Sequence, residues 1–415
     1  MSAIPFSPVH LQTIRSQFPA FERMESGASA IYLDGPAGTQ VPQSVVDRIA
    51  DVLLHHNANR HGCFATSREG DAILAEAHQA AADWVRCSDP RETIFGANMT
   101  SLTFQFSRAI AKTWQAGDEI VVTKLDHDAN HTPWILAARD RGVVVRTVDV
   151  RTEDATLDLD SFARQLNSKT RLVAFTCASN SVGSRTPISE LTNLAHQYGA
   201  QVFLDAVHYA PHDRIDVAKW GCDFLACSAY KFFGPHIGIL WGRYDLLDSM
   251  EAYKVEPSPM EVPEKWMTGT QNLACLAGVT GAIDYVANLL PSDKASRVDR
   301  LDLSFEAIRH YEEALANRMI AGLLSLPRVK LFGISSAERL NERVPTIAVN
   351  IDGYTSAEAA TLLGSKGIYV WHGNYYALQL SRRLGQEPNG MVRIGLMHYN
   401  TFEEVDRTLE TIAAM

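Results

Sequence analysis

Two residues set the chemical question. In QVFLDAVHYAPH an aspartate, Asp205, closes an apolar run, and in CDFLACSAYKFFGPHIGILWG a lysine, Lys231, follows the next one. Both runs are short and bounded by turn or charged residues, which marks them as strands. Strand ends bring distant residues together, here across the 26 positions from 205 to 231. A lysine amine forms a Schiff base with an aldehyde, and an acid beside a pyridine nitrogen keeps that nitrogen protonated. The pair therefore suits an electron-sink cofactor of the kind that pyridoxal 5'-phosphate (PLP) represents. An Asp and a Lys after strands also occur in many α/β chains without that role, so the surroundings must decide.

Those surroundings are elements that alternate. From about residue 43 to 242, helical periodicity at Ser44 to His55, Asp71 to Cys87, Ser101 to Trp114 and Ser189 to Tyr198 is interleaved with short apolar runs. The runs are Glu119 to Thr123, Val143 to Val148, Leu172 to Cys177, Val202 to Asp205, Phe224 to Cys227 and Ile237 to Trp241. This pattern predicts an α/β fold with a mostly parallel, doubly wound sheet, whose ligands bind at the carboxyl ends of strands. The polar stretch LPSDKASRVDR, 290–300, reads as a domain boundary. Beyond it, a long helix from Leu303 to Leu324 precedes strands near Val329, Val344, Ile368 and Val392 and helices at Ser356 and Thr401. The expected organisation is an N-terminal segment, 1–25, that packs with the small domain, a large cofactor-binding α/β domain, 26–290, and a small α+β domain, 291–415.

Bulk properties narrow the class. A chain of 415 residues with 46% apolar content can bury a large core. A net charge of -10 and a pI near 5.8 offer no basic stripe for nucleic acid or an anionic membrane. The start, MSAIPFSPVHLQTIRSQF, has no signal-peptide pattern, and no stretch is apolar enough to span a bilayer. Six cysteines are scattered without a CxxC pair, which fits reduced thiols in a cytoplasmic protein.

Several motifs, in order, extend the reading. From YLDGPAG at Tyr32 to YNTFEEVDR at Tyr399 the chain resembles the class V aminotransferase family, in its cysteine desulfurase-like branch. The resemblance implies fold type I of the PLP-dependent transferases, with Lys231 as the Schiff-base lysine and Asp205 at the pyridine nitrogen. DHDANHTPW places His127 over the ring face, and CASNSVG places Asn180 near the phenolic oxygen and the substrate carboxylate. For the phosphate, GANMTSLTF offers Thr100 at a helix start, with Met99 where relatives carry a second threonine, and SAYK offers Ser228 and Tyr230. Thr270 in TGTQN matches a residue that reaches the neighbouring subunit's phosphate, which implies a homodimer with shared active sites. Arg393 in MVRIGLMHYNT matches the arginine that takes the substrate α-carboxylate, a task suited to a planar fork of donors.

Two departures bear on the reaction. VWHGNYYALQL carries Tyr376 where desulfurases carry their attacking cysteine, and a tyrosine cannot accept a persulfide. Cys63 in NRHGCFATS is an alternative thiol from the entry side. His208 stands where a glutamine usually donates to the cofactor; a metal reading of His208, His212 and Asp213 competes with that role and is set aside, so no metal is expected. His372, Asn374, Tyr375 and Tyr376 are expected to form an aromatic and polar loop that shapes the substrate pocket. The reading is a PLP-dependent enzyme acting on an L-amino acid through an external aldimine and a Cα carbanion, with C–S β-elimination first. Transamination, epimerisation or decarboxylating carbon–carbon chemistry stands second, and a non-catalytic PLP-binding scaffold is the alternative of another class.

Overall fold

The computed structural model describes residues 6–25 and 27–415; residues 1–5 of the expected N-terminal segment lie outside them. The central sheet has seven strands in the order Thr93–Gly96, Gly238–Gly242, Phe224–Ser228, Gln201–Asp205, Thr170–Thr176, Glu119–Thr123 and Val144–Val148. Gly238–Gly242 runs antiparallel to both neighbours, and the other pairs are parallel. Helices cover both faces, so the inner strands are buried almost throughout and read as unbroken apolar runs instead of alternating ones. Thr93–Gly96, Glu119–Thr123, Thr170–Thr176, Gln201–Asp205 and Phe224–Ser228 end on one edge of the sheet. That edge carries the chemistry.

Sequence and structure differ in three informative places. The strand Thr93–Gly96 has four residues and follows a one-turn helix, Pro90–Glu92, too short for a periodic signal. The helix Leu273–Ala287, LACLAGVTGAIDYVA, is apolar on every face and buried against Gln43–His55 and Ala65–Val85, so it lacks the amphipathic stripe that reveals a surface helix. The long helix begins at Arg297, ahead of the expected Leu303, because Ser296 caps it by accepting the Asp299 N–H at 3.0 Å.

The C-terminal region holds a four-stranded antiparallel sheet, ordered Val329–Phe332, Thr346–Ile351, Met391–Gly395, Trp371–Gly373, backed by helices. Ile31–Tyr32 pairs in parallel with Ile368–Tyr369, and Asp34 bridges Gly395, which draws 31–36 toward this sheet. Gly395 is required there, since a Cβ on it would lie 1.9 Å from Pro36 Cδ. Arg15 pairs with Glu404 at 2.9 Å and donates to the Tyr399 carbonyl, while Phe18 packs on Tyr285 and Tyr399. No described helix is long and apolar enough to cross a membrane.

Candidate active site

A cavity of about 830 Å³ opens on the carboxyl-end edge of the sheet. Among its lining residues are Lys231, Asp205, His127, Asn180 and Arg393, which the sequence placed together. After Ser228 the chain makes a single 3₁₀ turn, Ala229–Lys231, and the Lys231 ammonium donates to the Pro36 carbonyl. Burial, reinforced by the Arg393 charge, pushes Lys231 down to about 7, although Asp205 and Asp34 pull the other way. Asp205 ends its strand with one carboxylate oxygen accepting the Val207 N–H at 2.9 Å, and burial lifts its pKa to about 6. A lysine lowered toward neutrality and a buried acid thus line one cavity, which marks it as the candidate functional site.

His127 is fixed by its own turn. Its Nδ1 accepts the Ala129 N–H at 3.0 Å, which leaves the proton of the neutral ring on Nε2. Burial, with the Lys231 charge adding to it, depresses its pKa to about 4, so the ring is neutral and flat near pH 7. The preceding Asp126 accepts from Thr123 Oγ1 and from Asn130 Nδ2, the latter at 2.7 Å, and Asn130 in turn accepts from Trp134 at 3.0 Å. This buried frame holds the histidine loop against the sheet.

His208 lines the same cavity, and its Nε2 meets Thr346 Oγ1 at 2.9 Å. Burial holds it well below an ordinary histidine pKa, with His212, Arg393 and Lys231 acting in the same direction. The three-residue metal grouping does not assemble: His212 bonds Glu312 at 2.8 Å and Asp213 pairs with Arg185. Among the described residues no cluster of His, Cys, Asp or Glu is arranged to hold a metal.

At the other end, Asn98 caps the helix Met99–Ile110 by accepting the Ser101 N–H at 2.8 Å, and the Met99 N–H donates to Ser228 Oγ at 3.0 Å. Thr100 is exposed on the first turn, so a hydroxyl and a helix N-terminus face the cavity together. Gly238 permits this approach, because a Cβ there would lie 2.4 Å from the Asn98 carbonyl carbon. Tyr230 also lines the cavity, its ring stacked on His236 at 4.8 Å. Thr270 is exposed on the 267–272 segment and does not line this cavity.

Arg393 is a buried cation held by neutral partners. Its Nη1 donates to the Asn180 carbonyl at 2.9 Å, its guanidinium lies 4.2 Å from the Tyr375 ring centre, and its Nε has no partner among the described residues. Asn180 Oδ1 is likewise buried and unpaired. Two such atoms in one cavity are costly unless a ligand or ordered water satisfies them. His372 and Tyr376 line the mouth, with the Tyr376 ring 5.5 Å from that of His127. Cys63 is exposed and lies outside the cavity lining. Pro36 and Asp34 went unassigned in sequence, and Tyr375 was expected only as one member of the aromatic and polar loop that shapes the pocket.

The fold is type I of the PLP-dependent transferases, and the cavity sits where such folds place their chemistry. The family profile described as aminotransferase class V matches residues 31–408, and the chain belongs to that family of enzymes. It is 31% identical to the cysteine desulfurase of Serratia proteamaculans over 412 residues, covering 96% of each chain. A probable cysteine desulfurase of a Synechocystis strain is 29% identical, covering 97% of this chain and 94% of its own. The apo structure of a cysteine desulfurase from Thermococcus onnurineus superposes with a TM-score of 0.87 at 25% identity, covering 97% of each chain.

Proposed function

We propose that the cavity binds PLP and that the protein is a C–S lyase acting on L-amino acids with sulfur at Cβ. The observation that carries this reading is the meeting of Lys231, Asp205 and an Arg393 without an ion-pair partner in one cavity. The residues fit the cofactor: an amine, an acid and a flat neutral imidazole for the ring, with hydroxyls at a helix N-terminus for the phosphate. When bound, PLP supplies an aldehyde for amines and a ring that withdraws electrons from Cα.

The chain's own groups do the rest. Arg393 takes the α-carboxylate through its free edge, and Asn180 Oδ1 accepts from the substrate side. The Lys231 amine removes the Cα proton, which its lowered pKa permits near pH 7. The Cβ–S bond then breaks with its electron pair leaving on sulfur, and one water converts the remainder to pyruvate and ammonia. Tyr376 offers no thiol to capture sulfur, so sulfur departs with the leaving group and not on the protein. Names of the relatives support the sulfur-bearing substrate class. A homodimer is part of the reading: Val46, Leu53 and Leu54 expose apolar surface on the helix Gln43–His55, and exposed Thr270 is free to serve a partner's phosphate. A cytoplasmic location completes it.

Two outcomes test the proposal. The PLP-loaded protein should release pyruvate from L-cystine with no sulfur adduct on the intact protein mass. Products that keep the Cβ–S bond, or turnover that depends on a keto-acid acceptor, would move the assignment to transferase chemistry. Separately, only a neutral amine attacks an aldehyde, and Lys231 becomes neutral as pH rises through about 7. PLP capture by the cofactor-free protein, followed by stopped-flow absorbance, should accelerate through that range and level off above it. A rate still climbing toward 10.5, the ordinary lysine value, would contradict the buried placement of this amine.

A further inference from the structure

We infer that Tyr375 is a positioning residue for substrate recognition: its ring holds the face of the Arg393 guanidinium so that one edge stays free for a carboxylate. The inference rests on the reading of Arg393 as the carboxylate site and adds what makes that arginine selective.

The geometry forms a closed ring of three residues. Arg393 Nη1 donates to the Asn180 carbonyl at 2.9 Å, Asn180 Nδ2 donates to the Tyr375 carbonyl at 2.9 Å, and the Tyr375 ring centre lies 4.2 Å from the Arg393 guanidinium carbon. The Tyr375 hydroxyl donates to the Met391 carbonyl, which anchors the ring to the strand that carries Arg393. With Nη1 engaged and the face covered, Nε is unpartnered and Nη2 has no hydrogen bond among the described residues. Those two N–H groups lie side by side and match the two oxygens of a carboxylate.

The choice of an aromatic partner has a consequence. A carboxylate paired with Arg393 would neutralise it and compete with the ligand for the same donors; Asp34 acts on the guanidinium electrostatically but does not come within ion-pair distance of it. An aromatic face attracts the cation through its quadrupole yet puts no acceptor on the guanidinium edge. Arg393 is therefore held and left hungry for an anion at once. Burial lowers the pKa of this desolvated cation to about 10, while Tyr375, Asp34 and Tyr230 pull the other way.

The backbone gives independent support. Tyr375 and Tyr376 both adopt left-handed φ angles, 56° and 59°, which bulky residues seldom do. Glycine would take that conformation at no steric cost, so a tyrosine there signals a side chain in use. Fixed hydrogen bonds hold the turn: the Tyr376 carbonyl accepts the Asp128 N–H at 2.7 Å, and Asn374 Oδ1 accepts the Tyr376 N–H at 3.1 Å.

The test compares L-alanine with L-alaninamide, titrated into the PLP-loaded protein and read by visible absorbance, in wild type and in Tyr375→Leu, Tyr375→Phe and Arg393→Ala. Tyr375→Leu should weaken L-alanine roughly 3- to 30-fold, the worth of a partly desolvated cation–π contact, and leave the amide unchanged. Tyr375→Phe keeps the ring and should stay within roughly 3-fold of wild type. In steady state with L-cystine, Tyr375→Leu should raise KM and hold kcat. If Arg393→Ala keeps the preference for acid over amide, the carboxylate reading fails and takes this inference with it. If Arg393→Ala loses the preference while Tyr375→Leu binds L-alanine as wild type does, or weakens acid and amide alike, the Tyr375 role alone is overturned.

Discussion

Replacing Lys231 by alanine should abolish covalent cofactor retention and lower turnover by roughly 10³-fold or more, the contribution of a positioned proton-transfer group compounded by loss of the cofactor's anchor. Borohydride treatment followed by intact-mass measurement reads the first effect directly, since wild type should gain the reduced cofactor's mass and the variant should not. The fold should survive. The Lys231 side chain makes a single hydrogen bond, to the Pro36 carbonyl, and its ammonium sits in a place that disfavours charge. Linkage gives the sign of the stability change. A lysine lowered from 10.5 to about 7 binds fewer protons in the folded chain than in the unfolded one between those values, so its penalty is complete below pH 7 and fades as pH rises toward 10.5. The cofactor-free variant should therefore melt above cofactor-free wild type at pH 6.5, and the gap should shrink at pH 9.5. A variant that kept the borohydride-fixed mass would overturn the assignment of this lysine.

The parts of this architecture that periodicity reveals were legible in the sequence. Strands such as Glu119–Thr123, Gln201–Asp205 and Phe224–Ser228 stand out because their apolar runs are short and bounded, and the ends of the last two gave Asp205 and the Lys231 turn. Motif order gave His127, Asn180 and Arg393, all of which line the one cavity. Features made by packing left no such trace. Leu273–Ala287 hides because burial on all sides removes the stripe, and Thr93–Gly96 because four residues do not make a pattern. Contacts of long range were invisible: His208 meets Thr346 across 138 positions, and Pro36 reaches Lys231 across 195. Tyr375 is the sharpest case. Its residue type suggested only an aromatic wall, and its role follows from a left-handed turn that no local propensity predicts.

Replacing Asp205 by asparagine should leave PLP binding in place and cut turnover by roughly 10²- to 10³-fold, the usual cost of removing one preorganised electrostatic partner from a desolvated site. The two side chains have nearly the same shape, and asparagine Oδ1 can still accept the Val207 N–H, so the loss is one of charge. Near pH 7 the carboxylate is mostly ionised, because burial raises it only to about 6. An amide at that position cannot hold a proton on a pyridine nitrogen by ion pairing, and the ring would lose its pull on Cα. A second readout separates this from general damage. Asp205 is one of the two anions that raise the Lys231 pKa, so removing it leaves burial and the Arg393 charge less opposed. The pH profile of PLP capture should then shift to lower pH, with capture at pH 6 faster than in wild type, while turnover collapses. Disrupted packing would slow both processes together. Turnover within roughly 3-fold of wild type would instead show that Asp205 does not face the ring nitrogen, and the orientation of the cofactor in this cavity would have to be redrawn.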